Sequence, residues 1–552
     1  MSYFHRLQLL CATLSLCIAG ISLTSVEVYA CQATVGQGVG LMPPVNKEVN
    51  TCWTYSCYDE FYLKDATRSG ITTARYSELW NPDEWAKYEG SGMLDYFSYD
   101  NIWDHWSQAN AVDAHVHAGN TYDYLLSMFG SFNNITGTNM VSWVDDPRPG
   151  VQGAAWFGWL AKYATPTSGS HPAARAIDIV AHEFGHGVTN SASRYNDISP
   201  RQTAFLLDYA GESGALQEAF SDWIGLAVKF ANRTTVDWMF GRDAYTGQLY
   251  ADGRQILGRR NVSDPYGENN VRCLQPDYYW GARWCTGIQA SPCDCVHVNV
   301  GVPNKMFYLL AKEGQHTHKG IEVQGLGMEK AIRIAYKANM EYWPRNASFY
   351  HAMLGMIDAA AALYGGYGSN EVRQVKLAWA AVGVGNRFDV YNIGDGNGTV
   401  SRNSAYLGSG YSGSIYPTGD TVTVTATPDP YSIFTGWYRE ECGLIYYSSG
   451  NVTNIMPDGL NYAVEFIRPK IYANKAGSGG GTVSGPGIWC GGTCSGVYNP
   501  YTYVTLYASP DSTSYFAGWS GGGCGGTGAC TVYMDWIKYV TAVFEYDWST
   551  GG

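Results

Sequence analysis

Two histidines stand one helical turn apart in the run His182-Glu183-Phe184-Gly185-His186. On a helix, positions i and i+4 share a face, so both imidazoles can reach one metal ion, and zinc is the ion that most often takes such a pair. Glu183 projects beside them, where a carboxylate can take a proton from a water. A motif this short turns up by chance in on the order of one in a hundred chains of this length, so it does not carry the reading alone. A catalytic zinc site also needs a third protein ligand and an open fourth position. Glu218, thirty-six residues after His182 in Gly214-Ala215-Leu216-Gln217-Glu218-Ala219-Phe220-Ser221-Asp222, supplies that ligand. Asp222, one turn further, is placed to accept the free ring N–H of a ligand histidine, His182 by preference. The plainer alternative makes Glu218 and Asp222 ordinary helix-surface acids. Phe220 and Trp223 on the same apolar helix argue against it, because unpaired carboxylates are costly to bury.

Helices must hold these groups. Ile177, Ala181, Phe184 and Val188 recur at helical spacing within 173–192, and Leu216, Phe220, Trp223 and Val228 do so within 213–230. Further helices are expected over 302–313, 328–342, 348–364 and 371–381. From about 37 to 170, Tyr, Trp, Gly and Asn with short alternating runs predict strands and long loops, helical character beginning near Ala173. From Asp389 the texture turns to Gly, Ser, Thr and Tyr with Val-Thr alternation, and it repeats: Gly398-Thr399-Val400 returns as Gly481-Thr482-Val483, and Phe434-Thr435-Gly436-Trp437 as Phe516-Ala517-Gly518-Trp519. The expected organisation is a signal over 1–30, a metal-bearing domain over 31–387, and two small β modules over 388–467 and 468–547. Trp437 and Trp519, as repeated positions in a β module, read as core.

At 552 residues the chain exceeds one compact domain, and a net charge of -13 without any basic run excludes a nucleic-acid partner. Arg6, the apolar run from Leu7 to Leu23 and the small-residue end Val28-Tyr29-Ala30 read as an export signal, making the protein secreted and extracellular. Cys31 after Ala30 raises lipid anchoring, against which Tyr29 argues. Export places the remaining cysteines in an oxidising compartment, where disulfides are the default. Cys490, Cys494, Cys524 and Cys530 look like staples of small hairpins, a structural zinc being the alternative, while Cys31 and Cys442 show no evident partner.

The combination resembles the thermolysin family of zinc metallopeptidases, across roughly residues 37–385. Ala111-Val112-Asp113-Ala114-His115, Tyr122-Asp123-Tyr124, Arg260-Asn261-Val262-Ser263-Asp264-Pro265, Val296-His297-Val298-Asn299 and Asn304-Lys305 match its blocks in order. The tail resembles divergent internalin-type B-repeats. The implied fold class is α+β: a two-lobed thermolysin-like domain, β-rich then α-helical, followed by two small all-β repeat domains. The implied activity is endopeptidase hydrolysis with one catalytic zinc on His182, His186 and Glu218, and with Glu183 taking a proton from water and passing it to the leaving amine. By the same resemblance His297 and Tyr209 hydrogen-bond the oxyanion, Arg260 holds a substrate carbonyl, Asp178 joins the helix's polar network, and Ala154 and Trp156 form an edge strand pairing with the peptide. Partners are then protein or peptide substrates, with a cell-surface or matrix component for the repeats.

The sequence departs from the family in three places. The long segment the family carries between signal and enzyme is almost missing. The family's paired calcium site keeps Asp178 and Asp237, but Lys229, Met239 and Arg242 stand among them, which predicts an ion-pair cluster and no double calcium there, a single calcium elsewhere staying open. The stretch before His297 is rewritten. Asp294 is shifted in spacing relative to the acid that orients the family's histidine, and Cys293 and Cys295 are expected to reach Cys273 or Cys285 rather than each other. The family favours a large apolar residue after the cleaved bond, but Arg259, Ser170 and Ala173 stand at pocket-lining positions. A catalytically silent binding or adhesion protein on the same fold is the rival reading.

Overall fold

In the computed structural model of the chain, the described residues run with short gaps from Ala109 to Thr550, the longest gaps being 131–139, 147–152, 165–170 and 196–206. Ahead of Ala109 they are strand segments between Gln32 and Trp103 and the turn residue Arg68. The expected signal, Cys31, Cys442 and Ser170 lie outside the described residues.

Two compact units emerge, one built from residues up to Tyr122 with 139–168 and 172–175, the other from 123–138, 169–171 and everything from Ala176. The first holds two sheets. In one, five strands run in the order Phe97–Ser98, Asp59–Tyr62, Asn46–Tyr55, Gln32–Val39, Ile102–Trp103. The other has six, with Ala154–Trp156 at its edge, antiparallel to Leu160–Ala164. One element there contradicts the sequence reading of 37–170 as strands and loops: helix α1, Ala109–Phe129, is 21 residues long. Its helical period is masked because up to Tyr122 it is buried nearly all round, Asn110, Asp113, His115, His117 and Thr121 included, and exposed residues begin only at Asp123. Those polar groups find partners: His115 Nδ1 lies 3.1 Å from Thr73 Oγ1, and His117 Nδ1 lies 2.9 Å from the Ala174 carbonyl.

In the second unit the helices follow the apolar periodicity closely. Helix α2 spans Ile177–Tyr195, preceded by a single 3₁₀ turn at Ala173–Arg175, and α3 spans Gly211–Asn232. The short α4, Arg242–Tyr245, and α5, Cys295–Asn299, precede α6 (Gly301–Ala311), α7 (Met328–Glu341), α8 (Phe349–Leu363) and α9 (Asn370–Ala381). Ser348 and Ser369 cap α8 and α9 through their side chains, which fixes where those helices start.

Helices α2 and α3 carry the metal-site residues, and small residues let them approach. A Cβ on Gly185 would meet the Ser221 Cα at 2.8 Å, and one on Gly225 would collide with the Asp178 carbonyl oxygen. The far side of α3 is anchored in an aromatic cluster, Trp223 stacking on Phe307 at 4.7 Å with Trp343 and Phe220 edge-on.

Beyond α9, Asn386–Arg387 pairs with Ile415–Tyr416, and two like-built β modules follow. In the first, Asp389–Asn392 runs parallel to Asn461–Ile467, which pairs antiparallel with Ile433–Glu440. In the second, Lys470–Ala476 runs parallel to Lys538–Tyr546, which pairs antiparallel with Ser514–Ser520. Even the irregularity repeats, a register shift between Phe434 and Gly436 and again between Phe516 and Gly518. Trp437 and Trp519 are buried in the two module cores. Cys490–Cys494 and Cys524–Cys530 close small loops in the second module.

Candidate metal centre

The close contact of α2 with α3 sets His182, His186 and Glu218 around one point, with one donor atom from each lying within 4.8 Å of the others. All three are buried. His182 Nε2 and His186 Nε2 face each other at 3.2 Å, and Glu218 reaches them through Oε2 at 3.4 Å and Oε1 at 3.6 Å. His182 Nδ1 lies 2.9 Å from Asp222 Oδ1, so that nitrogen carries a hydrogen and Nε2 is left for a ligand role. Glu218 Oε2 is buried without a hydrogen bond of its own.

The buried acids Glu218 and Asp222 favour positive charge at this point. Burial would lower the His182 pKa, yet the carboxylates of Asp222 and Glu218 outweigh it and raise it to about 9. His186 is pushed down to about 3 by burial and by its charged histidine neighbours, which keeps it neutral. Against burial, His297 and His182 hold the Glu218 carboxyl well below the usual range. Two imidazoles and a carboxylate converging on one buried point fit zinc, whose catalytic sites use that donor set.

Glu183, on α2 between the two histidines, is buried, and burial pushes its carboxyl up to about 7. His297 sits on α5 with Nε2 3.2 Å from Glu218 Oε2. Its other nitrogen, Nδ1, lies 2.6 Å from Asp294 Oδ1, and Asp294 also accepts the His297 backbone N–H as the cap of α5. The spacing left the role of Asp294 open, and the short helix resolves it: a cap residue three positions earlier also reaches the imidazole. Two disulfides, Cys273–Cys293 and Cys285–Cys295, tie down the segment that presents His297, and Gln275 donates to the His297 carbonyl at 2.7 Å. Tyr209 precedes α3 and donates to Glu218 Oε1 at 2.5 Å, so in this state its hydroxyl rests on the ligand carboxylate.

Arg260 is buried against Asp222, donating from Nε at 2.7 Å and pairing through Nη2, while Nη1 has no hydrogen-bond partner among the described residues. Asn304, on α6, donates to Asp222 Oδ2 at 2.8 Å and accepts from Trp223 Nε1 at 2.9 Å. The sequence reading quoted Asn304 only as part of a matching block, and the pairings of Asp222 with Arg260 and Asn304 were missed. The signal was present, since an acid holding a ligand histidine itself needs donors once buried. Replacing Asn304 by Leu removes one support of Asp222 without touching a ligand. Zinc affinity should fall about 10- to 100-fold in competition with a chelating dye. Unchanged affinity would show that Arg260 alone positions Asp222.

Where the sequence predicted an ion-pair cluster, Lys229 Nζ lies 3.1 Å from Asp178 Oδ2, 3.3 Å from Asp237 Oδ1 and 2.7 Å from the Met239 carbonyl. Arg242 Nε completes the cluster 2.5 Å from Asp237 Oδ2. In the first unit, Ala154 and Trp156 lie on the sheet edge, half-buried.

Family models described as the thermolysin metallopeptidase catalytic domain and its alpha-helical domain match residues 44–190 and 206–384. The chain belongs to the thermolysin metallopeptidase family. Its tail matches the divergent InlB B-repeat domain twice, over 392–464 and 473–547. Among family relatives, bacillolysin of Bacillus cereus is 36% identical over 362 residues, covering 63% of this chain and 55% of that protein. Thermolysin of Alicyclobacillus acidocaldarius subsp. acidocaldarius is 36% identical over 360 residues, covering 64% and 58%. The chain thus spans a little over half the length of these relatives. A solved precursor of protealysin, a metalloproteinase from Serratia proteamaculans, aligns at TM-score 0.41 and 23% identity over 57% of this chain and 86% of its own.

Proposed function

We propose that this chain is a secreted zinc-dependent endopeptidase acting on extracellular proteins, with its C-terminal repeats attaching it to a surface or matrix component. The observation that carries the reading is the convergence of His182, His186 and Glu218 with Glu183 on one buried point. Zinc bound there would supply a Lewis acid for the scissile carbonyl and the attacking water.

The remaining steps belong to the protein's own groups. Glu183, close to half-ionised near neutral pH by its burial, takes the proton from the water and returns it to the leaving nitrogen. His297, oriented by Asp294, donates from Nε2 to the oxygen that gains charge, and Tyr209 joins it by swinging its hydroxyl off Glu218. Arg260 offers its unpaired Nη1 to a substrate carbonyl while its other nitrogens stay on Asp222. Ala154–Trp156, at the edge of its sheet among the described strands, supplies backbone hydrogen bonds to an extended peptide. Among the described residues no helix is long and apolar enough to cross a membrane.

Incubating the purified protein with a mixed peptide pool and sequencing the products by mass spectrometry tests the activity and its class. Internal cleavage that a chelator abolishes is the expected result. Removal of single terminal residues would make it an exopeptidase, and cleavage indifferent to chelator would remove the metal from the account.

A further inference from the structure

Arg259 stands out among the charged groups around the metal centre. It is half-buried beside Arg260, yet its guanidinium makes no hydrogen bond or ion pair with any described residue. Its backbone is fixed on both sides, its N–H donating to Phe240 at 2.9 Å and its carbonyl accepting from Cys273 at 3.3 Å. Cys273 is in turn tied by its disulfide to Cys293, next to the Asp294 that holds His297. Phe240 packs against His182 at 5.3 Å and under the Arg260 guanidinium at 4.6 Å, so the segment carrying Arg259 is built into the wall of the metal centre. The charge of Arg259 is felt at both Glu183 and His297. Arg260 spends its charge on Asp222, whereas Arg259 has no such counter-ion among the described residues.

A cation taken part-way out of water and left unpaired is costly, and sites keep such groups where a ligand brings the opposite charge. The fixed planar donors of a guanidinium match a carboxylate in two parallel hydrogen bonds, which a shorter or uncharged side chain would not offer.

We propose that Arg259 is the specificity-determining residue of this site and selects substrates with an aspartate or glutamate side chain next to the cleaved bond, on the side served by Arg260. The inference rests on the peptidase reading and goes beyond it by naming the substrate class. It also sets this chain apart from the apolar preference that its family resemblance alone implies.

The test compares quenched peptides differing only at the residue after the cleaved bond: Asp, Glu, Leu, Phe or Lys. Wild type should favour Asp or Glu over Leu by about 10- to 100-fold in kcat/KM, the range of a charge-assisted hydrogen bond. Arg259→Leu should turn the preference to Leu and Phe, and Arg259→Glu should turn it to Lys, with zinc content and thermal midpoint unchanged in both. A wild-type preference for Leu or Phe, or an acidic preference that survives Arg259→Leu, would overturn the proposal. Binding of the same peptides to zinc-loaded Glu183→Ala protein, followed by calorimetry, reads the discrimination without turnover. If no peptide is cleaved but Asp and Glu peptides bind tightest, and only when Arg259 is present, the peptidase reading falls and the assignment of Arg259 stands. Equal binding of all five peptides refutes the assignment.

Discussion

Replacing Glu183 by Gln lowers kcat by about 10²- to 10⁴-fold while leaving zinc bound at the wild-type level. The side chain keeps its size and its place on α2 between the two histidines, so the metal donors stay where they are. What is lost is the one buried carboxylate in the cluster that burial has moved into the range where it can both accept and give a proton near neutrality. Because the residue acts on the water and the leaving nitrogen rather than on substrate binding, the loss falls on kcat with KM little changed. Peptide kinetics with zinc content from the same preparation check both halves. A variant that loses metal along with activity would place Glu183 among the supports of the site. Near-wild-type turnover would hand the base role to another group, His297 being the nearest alternative.

The second large effect concerns stability. Lys229 is buried between Asp178 and the Met239 carbonyl, with the half-exposed Asp237 and Arg242 completing the cluster. Lys229→Ala leaves the buried Asp178 charge without its counter-ion, and removing one partner of a buried pair typically costs about 3–5 kcal/mol. The Asp237 side contributes little, since it is largely in water. Urea unfolding should therefore show a large fall in midpoint for Lys229→Ala, most of it recovered when Asp178→Asn is added. Added calcium or its chelation should leave the wild-type midpoint where it is, because Lys229 Nζ already satisfies the acids a cation would need. A calcium-dependent midpoint in the wild type would contradict this account of the cluster.

How far the sequence revealed all this depended on where physical signals are local. The ligands His182, His186 and Glu218 were legible because helical spacing and a buried acid on an apolar helix say nearly everything about them. The repeats were legible because Phe434 and Trp437 return as Phe516 and Trp519, a copy that chance does not make. Helix α1 was not, because burial on nearly every face from Ala109 to Tyr122 erases the period on which helix reading depends. Asp294 and Asn304 were not assigned, because their roles arise from the chain folding back: one reaches its imidazole only as the cap of a five-residue helix, the other from a helix 82 residues downstream of Asp222. Arg259 was legible as an odd residue at a position the resemblance makes pocket-lining, but that its charge meets no counter-ion among the described residues is a fact of three dimensions.

The most direct measurement is a zinc titration of the metal-free protein, following peptide hydrolysis and bound metal together. Hydrolysis that rises in proportion to bound zinc, breaks at one zinc per chain, and is absent in His186→Ala is the predicted result. Full metal uptake without cleavage, or cleavage already complete before metal is added, would contradict the account.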